Sequence, residues 1–188
     1  MPWSSGQEIQ RDALTRLSAR AAAFGGVLDC GAGAGIWRDL ARDLPIGARP
    51  WHAAEVFQPY FERFGLADKY DLAMHRDLRR LKYGIYRGWA VLFGDVLEHL
   101  ERLEAVEIVR RAGSVATVVV MMPFVPSASA EQGACEGNPW EAHRYVWRWS
   151  DWLATFEALV GRVEVVAPPP GSGRNKGCLI GWHGDHDA

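Results

Sequence analysis

The chain has 188 residues, 21 basic and 23 acidic, with a formal net charge of -2; the length suits one domain with a substantial core, and the balance provides no global positive field for nucleic acid. Three cysteines (Cys30, Cys135 and Cys178) without C-x-x-C spacing indicate neither a zinc ribbon nor a disulfide framework, and fit a reducing, cytoplasmic setting. No apolar run approaches a membrane span, and charges through Met1–Arg20 interrupt any signal-peptide core.

Residues 1–23 predict an N-terminal amphipathic helix, because Ile9, Ala13, Leu14, Leu17 and Ala21 fall near helical spacing with Glu8, Arg11, Asp12 and Arg16 between them. Gly25-Gly26 are expected to end it. Gly26 to Leu28 then reads as a buried strand that delivers Asp29, and Cys30-Gly31-Ala32-Gly33-Ala34-Gly35 leads into a helix from Ile36 that Pro45 stops. Strand, glycine turn and helix make a nucleotide-type site, since glycine lets the backbone bend tightly and approach a ligand. The spacing is not the dinucleotide fingerprint G-x-G-x-x-G. Its third glycine arrives one residue early, as Gly35, and an Asp directly before the turn repels a pyrophosphate while suiting a cationic or hydroxyl-bearing ligand.

Trp51 to Val56 predicts a second strand with Glu55 near its tip, whose two oxygens can accept from two cis hydroxyls at once; a surface carboxylate is the alternative. Residues 57–66 read as a helix and Tyr70 to His75 as a third strand, followed by Asp77, which can cap the next turn or pair with Arg76, Arg79 or Arg80. The continuous apolar run Trp89 to Gly94 is a central parallel strand ending in Asp95-Val96-Leu97-Glu98-His99-Leu100. Ligands of α/β sheets bind beyond the carboxyl ends of the strands, so Asp95, Glu98 and His99 are expected in one crevice with Asp29 and Glu55. Leu100, Leu103, Val106 and Val109 are expected on one face of the following helix, with Glu107 and Arg111 paired outside it.

Val115 to Met122 is a fifth buried strand closed by Pro123. Residues 124–143 form a loop of a length that is usually functional, ending in Gly137-Asn138-Pro139-Trp140-Glu141-Ala142-His143. Ser150 or Asp151 caps a helix running to Val160, and residues 162–167 and 178–183 are two final strands. Trp147, Trp149 and Trp152 read as core anchors, although Trp140 and Trp147, flanking His143, can also stack on an acceptor.

Asp29-x-Gly31-x-Gly33-x-Gly35 resembles, position by position, the first motif of the class I S-adenosylmethionine-dependent methyltransferases. Asp95-x-x-Glu98-His99-Leu100 resembles the motif after their fourth strand, and Gly137-Asn138-Pro139-x-Glu141-x-His143 a signature of a bacterial and phage branch. The resemblance implies an α/β, Rossmann-like, doubly wound sheet of seven mostly parallel strands, the last antiparallel, in a single domain over residues 1–188. It implies S-adenosyl-L-methionine as cofactor, with Asp29, Gly31, Ala32, Gly33 and Gly35 around the turn and Glu55 on the ribose hydroxyls. Asp77 would take the adenine amino group, with Val56, Leu78, Asp95 and Val96 completing the site.

The expected activity is methyl transfer to a small-molecule acceptor, on an oxygen of a sugar-like, glycan or specialised metabolite. Asp95, His99 and His143 are the catalytic candidates; for each imidazole a structural role is the alternative. No metal is expected. The alternative is a divalent cation on Asp95, Glu98, His99 and His143, which resembles the set of small-RNA 2'-O-methyltransferases and of some quinone-biosynthesis O-methyltransferases, with Asp95 standing where the RNA enzymes have Glu. It belongs to a second functional reading, an RNA methyltransferase; a cofactor-binding module without catalysis is a third. Nucleic acid is not an expected partner unless a basic strip lies beside the site. Arg174 and Lys176 can bind an anionic acceptor or stay solvated.

Overall fold

The computed structural model describes residues 6–123, 138–145, 147–167 and 176–184. Cys135, Arg174 and the part of the long loop from Phe124 to Gly137 lie outside the described residues. Seven strands, β1 (Val27–Cys30), β2 (Trp51–Glu55), β3 (Leu72–His75), β4 (Ala90–Gly94), β5 (Thr117–Pro123), β6 (Val163–Ala167) and β7 (Lys176–Gly181), form one sheet in the order β3-β2-β1-β4-β5-β7-β6. β7 runs antiparallel to both of its neighbours, and the pairs among β1 to β5 are parallel. This is the seven-stranded, mostly parallel architecture expected from the motifs.

Both faces of the sheet are covered, which is why its central strands read as continuous apolar runs. Alternation along β1 sends Val27 to the layer containing α1 (Gln7–Ser18) and α2 (Ile36–Ala41). Leu28 and Cys30 face the layer containing α5 (Arg102–Gly113) and α6 (Trp149–Val160). Trp147 and Trp152 anchor the second layer, 1% and 0% exposed, with ring centroids 4.6 Å apart in a T-shaped contact. Such a pair contributes about 0.5–1.5 kcal/mol beyond its buried area. Trp147 is therefore a core residue and not a platform for a ligand.

Several local expectations change. The first helix stops at Ser18, and a 3-10 turn at Ala21–Ala23 follows. Gly25-Gly26 serve the packing of Trp89 instead of capping the helix: a Cβ on Gly26 would stand 2.6 Å from the Trp89 ring. Residues 57–66 divide into α3 (Pro59–Phe64) and α4 (Leu66–Lys69) at Gly65, whose φ of 60° breaks the helix. In α5 the buried residues are Ala105, Ile108, Val109, Ala112 and Gly113, so Leu103 is left 81% exposed. Glu107 pairs with Arg110, because Arg111 reaches instead to the carbonyl oxygens of Leu81 and Arg79. Arg148, with no side-chain cap, precedes α6 where Ser150 or Asp151 was expected.

Candidate active site

The strand order reverses at β1, which has β2 on one side and β4 on the other, and all three are parallel. Their carboxyl ends therefore meet at one edge, where an open α/β sheet leaves a crevice. Asp29, Glu55 and Asp95 stand at or next to those ends.

The turn after β1 depends on its glycines. Gly31, Gly33 and Gly35 have φ of 70°, 51° and 74°, a region that side chains disfavour. A Cβ on Gly31 would also come within 2.5 Å of Val96, so the turn packs against the residue that follows Asp95. Glu55, 5% exposed, fixes the turn from the neighbouring strand. Its Oε2 accepts from the Gly33 N–H at 2.9 Å and its Oε1 from the Phe57 N–H at 2.8 Å. Burial raises its pKa, and these backbone donors oppose the rise. Each oxygen keeps acceptor capacity for a further hydroxyl.

Asp29 is 1% exposed. Its Oδ2 accepts from the Tyr70 hydroxyl at 2.6 Å, and its Oδ1 is buried without a partner among the described residues. Burial pushes its pKa from an ordinary 3.8 up to about 7, with the Tyr70 bond opposing and the Glu55 charge assisting. Between those two values the native state binds the proton more tightly than the unfolded chain, so this group makes stability fall as pH rises across the window and level off above it. Urea unfolding at pH 4.5 and pH 8 is expected to show this loss, up to about 3 kcal/mol, as the difference between the wild type and Asp29→Asn.

At the tip of β3, Asp77 accepts from the Arg79 N–H at 2.9 Å and from its guanidinium at 2.6 Å, which holds the carboxyl below the usual range. Arg79 also reaches Glu104 at 3.1 Å. Both structural uses anticipated for Asp77 are present. Leu78 is buried beside it, and Val56 follows Glu55 at the end of β2.

Beyond β4, Asp95 has the left-handed φ of 51° that is uncommon outside glycine. Lys176, at the start of β7, donates to its Oδ2 at 2.6 Å, and its Oδ1 is buried without a partner among the described residues. The lysine anticipated for an anionic acceptor is thus engaged inside the site. Glu98 and His99 lie in a 3-10 turn, Leu97–His99. Glu98 is 2% exposed, its Oε2 lacks a partner among the described residues, and burial with the adjacent Asp95 charge pushes its pKa well above the usual range. Its main-chain carbonyl accepts from the Arg144 N–H at 2.8 Å, docking the segment that carries His143.

The His99 and His143 rings are 5.0 Å apart. Burial lowers both pKa values, and for His143 the neighbouring His99 lowers it further. Glu98, His99 and His143 bring one ligand atom each to within 4.8 Å of one another. Asp95, the fourth member of the anticipated set, is outside that group. Glu141 joins this cluster: its Oε1 accepts from the Tyr60 hydroxyl at 3.0 Å, and its Oε2 is 3.9 Å from His99 Nε2. No local sequence signal marks Tyr60 or Tyr70 as parts of the site, since their partners come from distant elements.

No protein-family model matches the sequence, and no curated protein is significantly similar to it. Solved structures do match. The N-terminal domain of EvdMO1, crystallised in the presence of SAH and D-fucose, is 15% identical with a TM-score of 0.68, over 93% of this chain and 83% of that one. Magnesium protoporphyrin IX methyltransferase (ChlM) from Synechocystis PCC 6803 with bound SAH is 17% identical, with a TM-score of 0.65 over 95% and 83%. DesVI from Streptomyces venezuelae is 16% identical, with a TM-score of 0.64 over 96% and 93%.

The chain has the class I methyltransferase fold. Within that fold the glycine turn, Glu55, Asp77 and Asp95 lie at or just beyond the ends of the four parallel strands β1 to β4. Among the described residues no helix is long and apolar enough to cross a membrane.

Proposed function

We propose that this chain is a cytoplasmic S-adenosylmethionine-dependent methyltransferase acting on an oxygen of a small acceptor, a sugar-like, glycan or specialised metabolite. The observation that carries the reading is Asp29: a buried carboxylate with an uncommitted Oδ1, leading directly into a turn of three left-handed glycines that Glu55 pins through the Gly33 N–H. An uncommitted buried acceptor fits a ligand with a cationic end. The SAH bound in structures of the N-terminal domain of EvdMO1 and of ChlM supports the cofactor, and the D-fucose present with EvdMO1 supports a sugar-like acceptor.

When bound, the donor supplies a methyl group already activated on a sulfonium. Asp29 would hold its amino end and Glu55 the ribose hydroxyls, while Gly31, Ala32, Gly33 and Gly35 allow close main-chain approach. Asp77 would share its carboxylate between Arg79 and the adenine amino group, with Val56, Leu78, Asp95 and Val96 lining the cleft. The chain's own task is then to align the acceptor, exclude water and remove a proton. His99 and His143 suit the last step, since burial keeps each imidazole neutral at pH 7 with a lone pair available. Calorimetry tests the reading: heat is expected with S-adenosylmethionine and with S-adenosylhomocysteine and none with a nicotinamide dinucleotide, and the reverse pattern overturns it.

A second reading, an RNA 2'-O-methyltransferase with a divalent metal, draws support from two observations. The Glu98, His99 and His143 donors converge to within 4.8 Å, a mixed nitrogen and oxygen set suited to a transition ion. Arg76, Arg80 and Lys82 are exposed next to the tip of β3, a local basic strip in a chain of net negative charge. Protein purified without chelator is expected to carry no stoichiometric metal and to keep its turnover in chelator; stoichiometric metal with chelator-sensitive turnover selects the second reading. Turnover itself separates both from a cofactor-binding module without catalysis.

A further inference from the structure

One aromatic at the crevice has no part in that reading. Trp140 is 42% exposed, yet its backbone is held by a chain of buried groups. Its N–H donates to Asn138 Oδ1 at 3.0 Å. Asn138, 2% exposed, donates from Nδ2 to Glu141 Oε1 at 3.3 Å, and the same oxygen accepts from Tyr60 at 3.0 Å. Tyr60 packs edge-on against Phe57 at 4.9 Å between centroids, and the Phe57 N–H donates to Glu55. The 3-10 turn Pro139–Glu141 is thereby framed on the tip of β2, where the ribose acid stands.

The indole itself is tied to the tip of β3. The Arg79 guanidinium carbon lies 5.7 Å from the Trp140 ring centroid, and the same guanidinium holds Asp77 at 2.6 Å and Glu104 at 3.1 Å. One link runs from Trp140 to Glu55, the other to Asp77. These are the two acids assigned above to ribose and adenine. An exposed side chain normally loses too much freedom on binding to contribute strongly, but one fixed beforehand at its backbone has less to lose.

We infer that Trp140 belongs to the cofactor site, where its indole covers the adenine ring of the methyl donor, and that it is not an acceptor platform. This rests on the cofactor reading of Asp29 and Glu55. Every base has a π-face, so an indole beside the two acids supplies what they lack: contact with the flat of the ring. Arg79 is the positioning residue, holding the Asp77 carboxylate on one side and the indole on the other.

Calorimetric titration with S-adenosylhomocysteine tests the assignment. Trp140→Ala is expected to weaken binding roughly tenfold or more and Trp140→Phe to restore most of it, with unfolding midpoints unchanged because the side chain is outside the core. A parallel loss is expected for adenosine as a competitor, since it carries the ring without the amino-acid tail. If the wild type binds and both variants bind equally well, the inference fails while the cofactor reading stands. An unchanged S-adenosylhomocysteine affinity with a raised acceptor KM would return Trp140 to the acceptor. If the wild type binds no S-adenosylhomocysteine, both the reading and the inference fall.

Discussion

Asp29→Asn is expected to weaken S-adenosylmethionine and S-adenosylhomocysteine by at least about a hundredfold, and Asp29→Ala to abolish detectable binding of either. The argument starts from burial. Asp29 is 1% exposed and its Oδ1 has no partner among the described residues, so the site already bears the cost of an unsatisfied acceptor. A ligand ammonium removes that cost and adds a charge-assisted hydrogen bond where water does not screen it. Asparagine keeps an acceptor for the Tyr70 hydroxyl and deletes only the charge.

Stability and binding move in opposite senses, which separates them. With the folded-state pKa pushed up to about 7, the ionised carboxylate is a burden on the fold above that value. Asp29→Asn is therefore no less stable than the wild type at pH 8, and a lost calorimetric signal there reports the site and not unfolding. Donor affinity that is indifferent to Asp29→Asn would place the amino end of the donor elsewhere and remove the main support of the proposed function.

What the sequence disclosed follows from the range of the forces involved. Asp29, Gly31, Gly33 and Gly35 were legible because a strand, a left-handed turn and a helix are short-range events written in consecutive residues. Glu55 and Asp95 were legible because parallel strands under two helical layers must be apolar runs, and the residue ending each run marks its tip. The side-chain partners were not. Tyr70 reaches Asp29 across 41 residues, Lys176 reaches Asp95 across 81, and Tyr60 reaches Glu141 across 81; those separations close only when the sheet is assembled. Helix faces failed for a different reason. In α5 the buried stripe is built on Ala105, Ile108, Val109 and Ala112, and small alanines let the helix sit close at a rotation that leaves the larger Leu103 in solvent.

His143→Ala is expected to spare donor affinity while turnover falls by about 10²–10⁴, the range that a positioned general base contributes. His143 and His99 are 5.0 Å apart, so two protons on the pair repel and one is the limit near neutral pH. Glu141, 3.9 Å from His99 Nε2, opposes the burial that lowers the His99 pKa, while burial and the neighbouring His99 leave the half-buried His143 neutral and able to accept a proton from a bound hydroxyl. His143→Asn discriminates the roles, because an amide can hold a loop or orient an acceptor but cannot take a proton at neutral pH. If asparagine restores turnover, the imidazole was orienting; if it fails as alanine does, with acceptor KM little changed, proton transfer is the function lost. The double variant with His99→Ala completes the cycle: a pair acting as one unit loses about as much in the double as in the worse single. Loss confined to His99→Ala would make His99 the base, with His143 a neighbour whose ring lies 5.0 Å away.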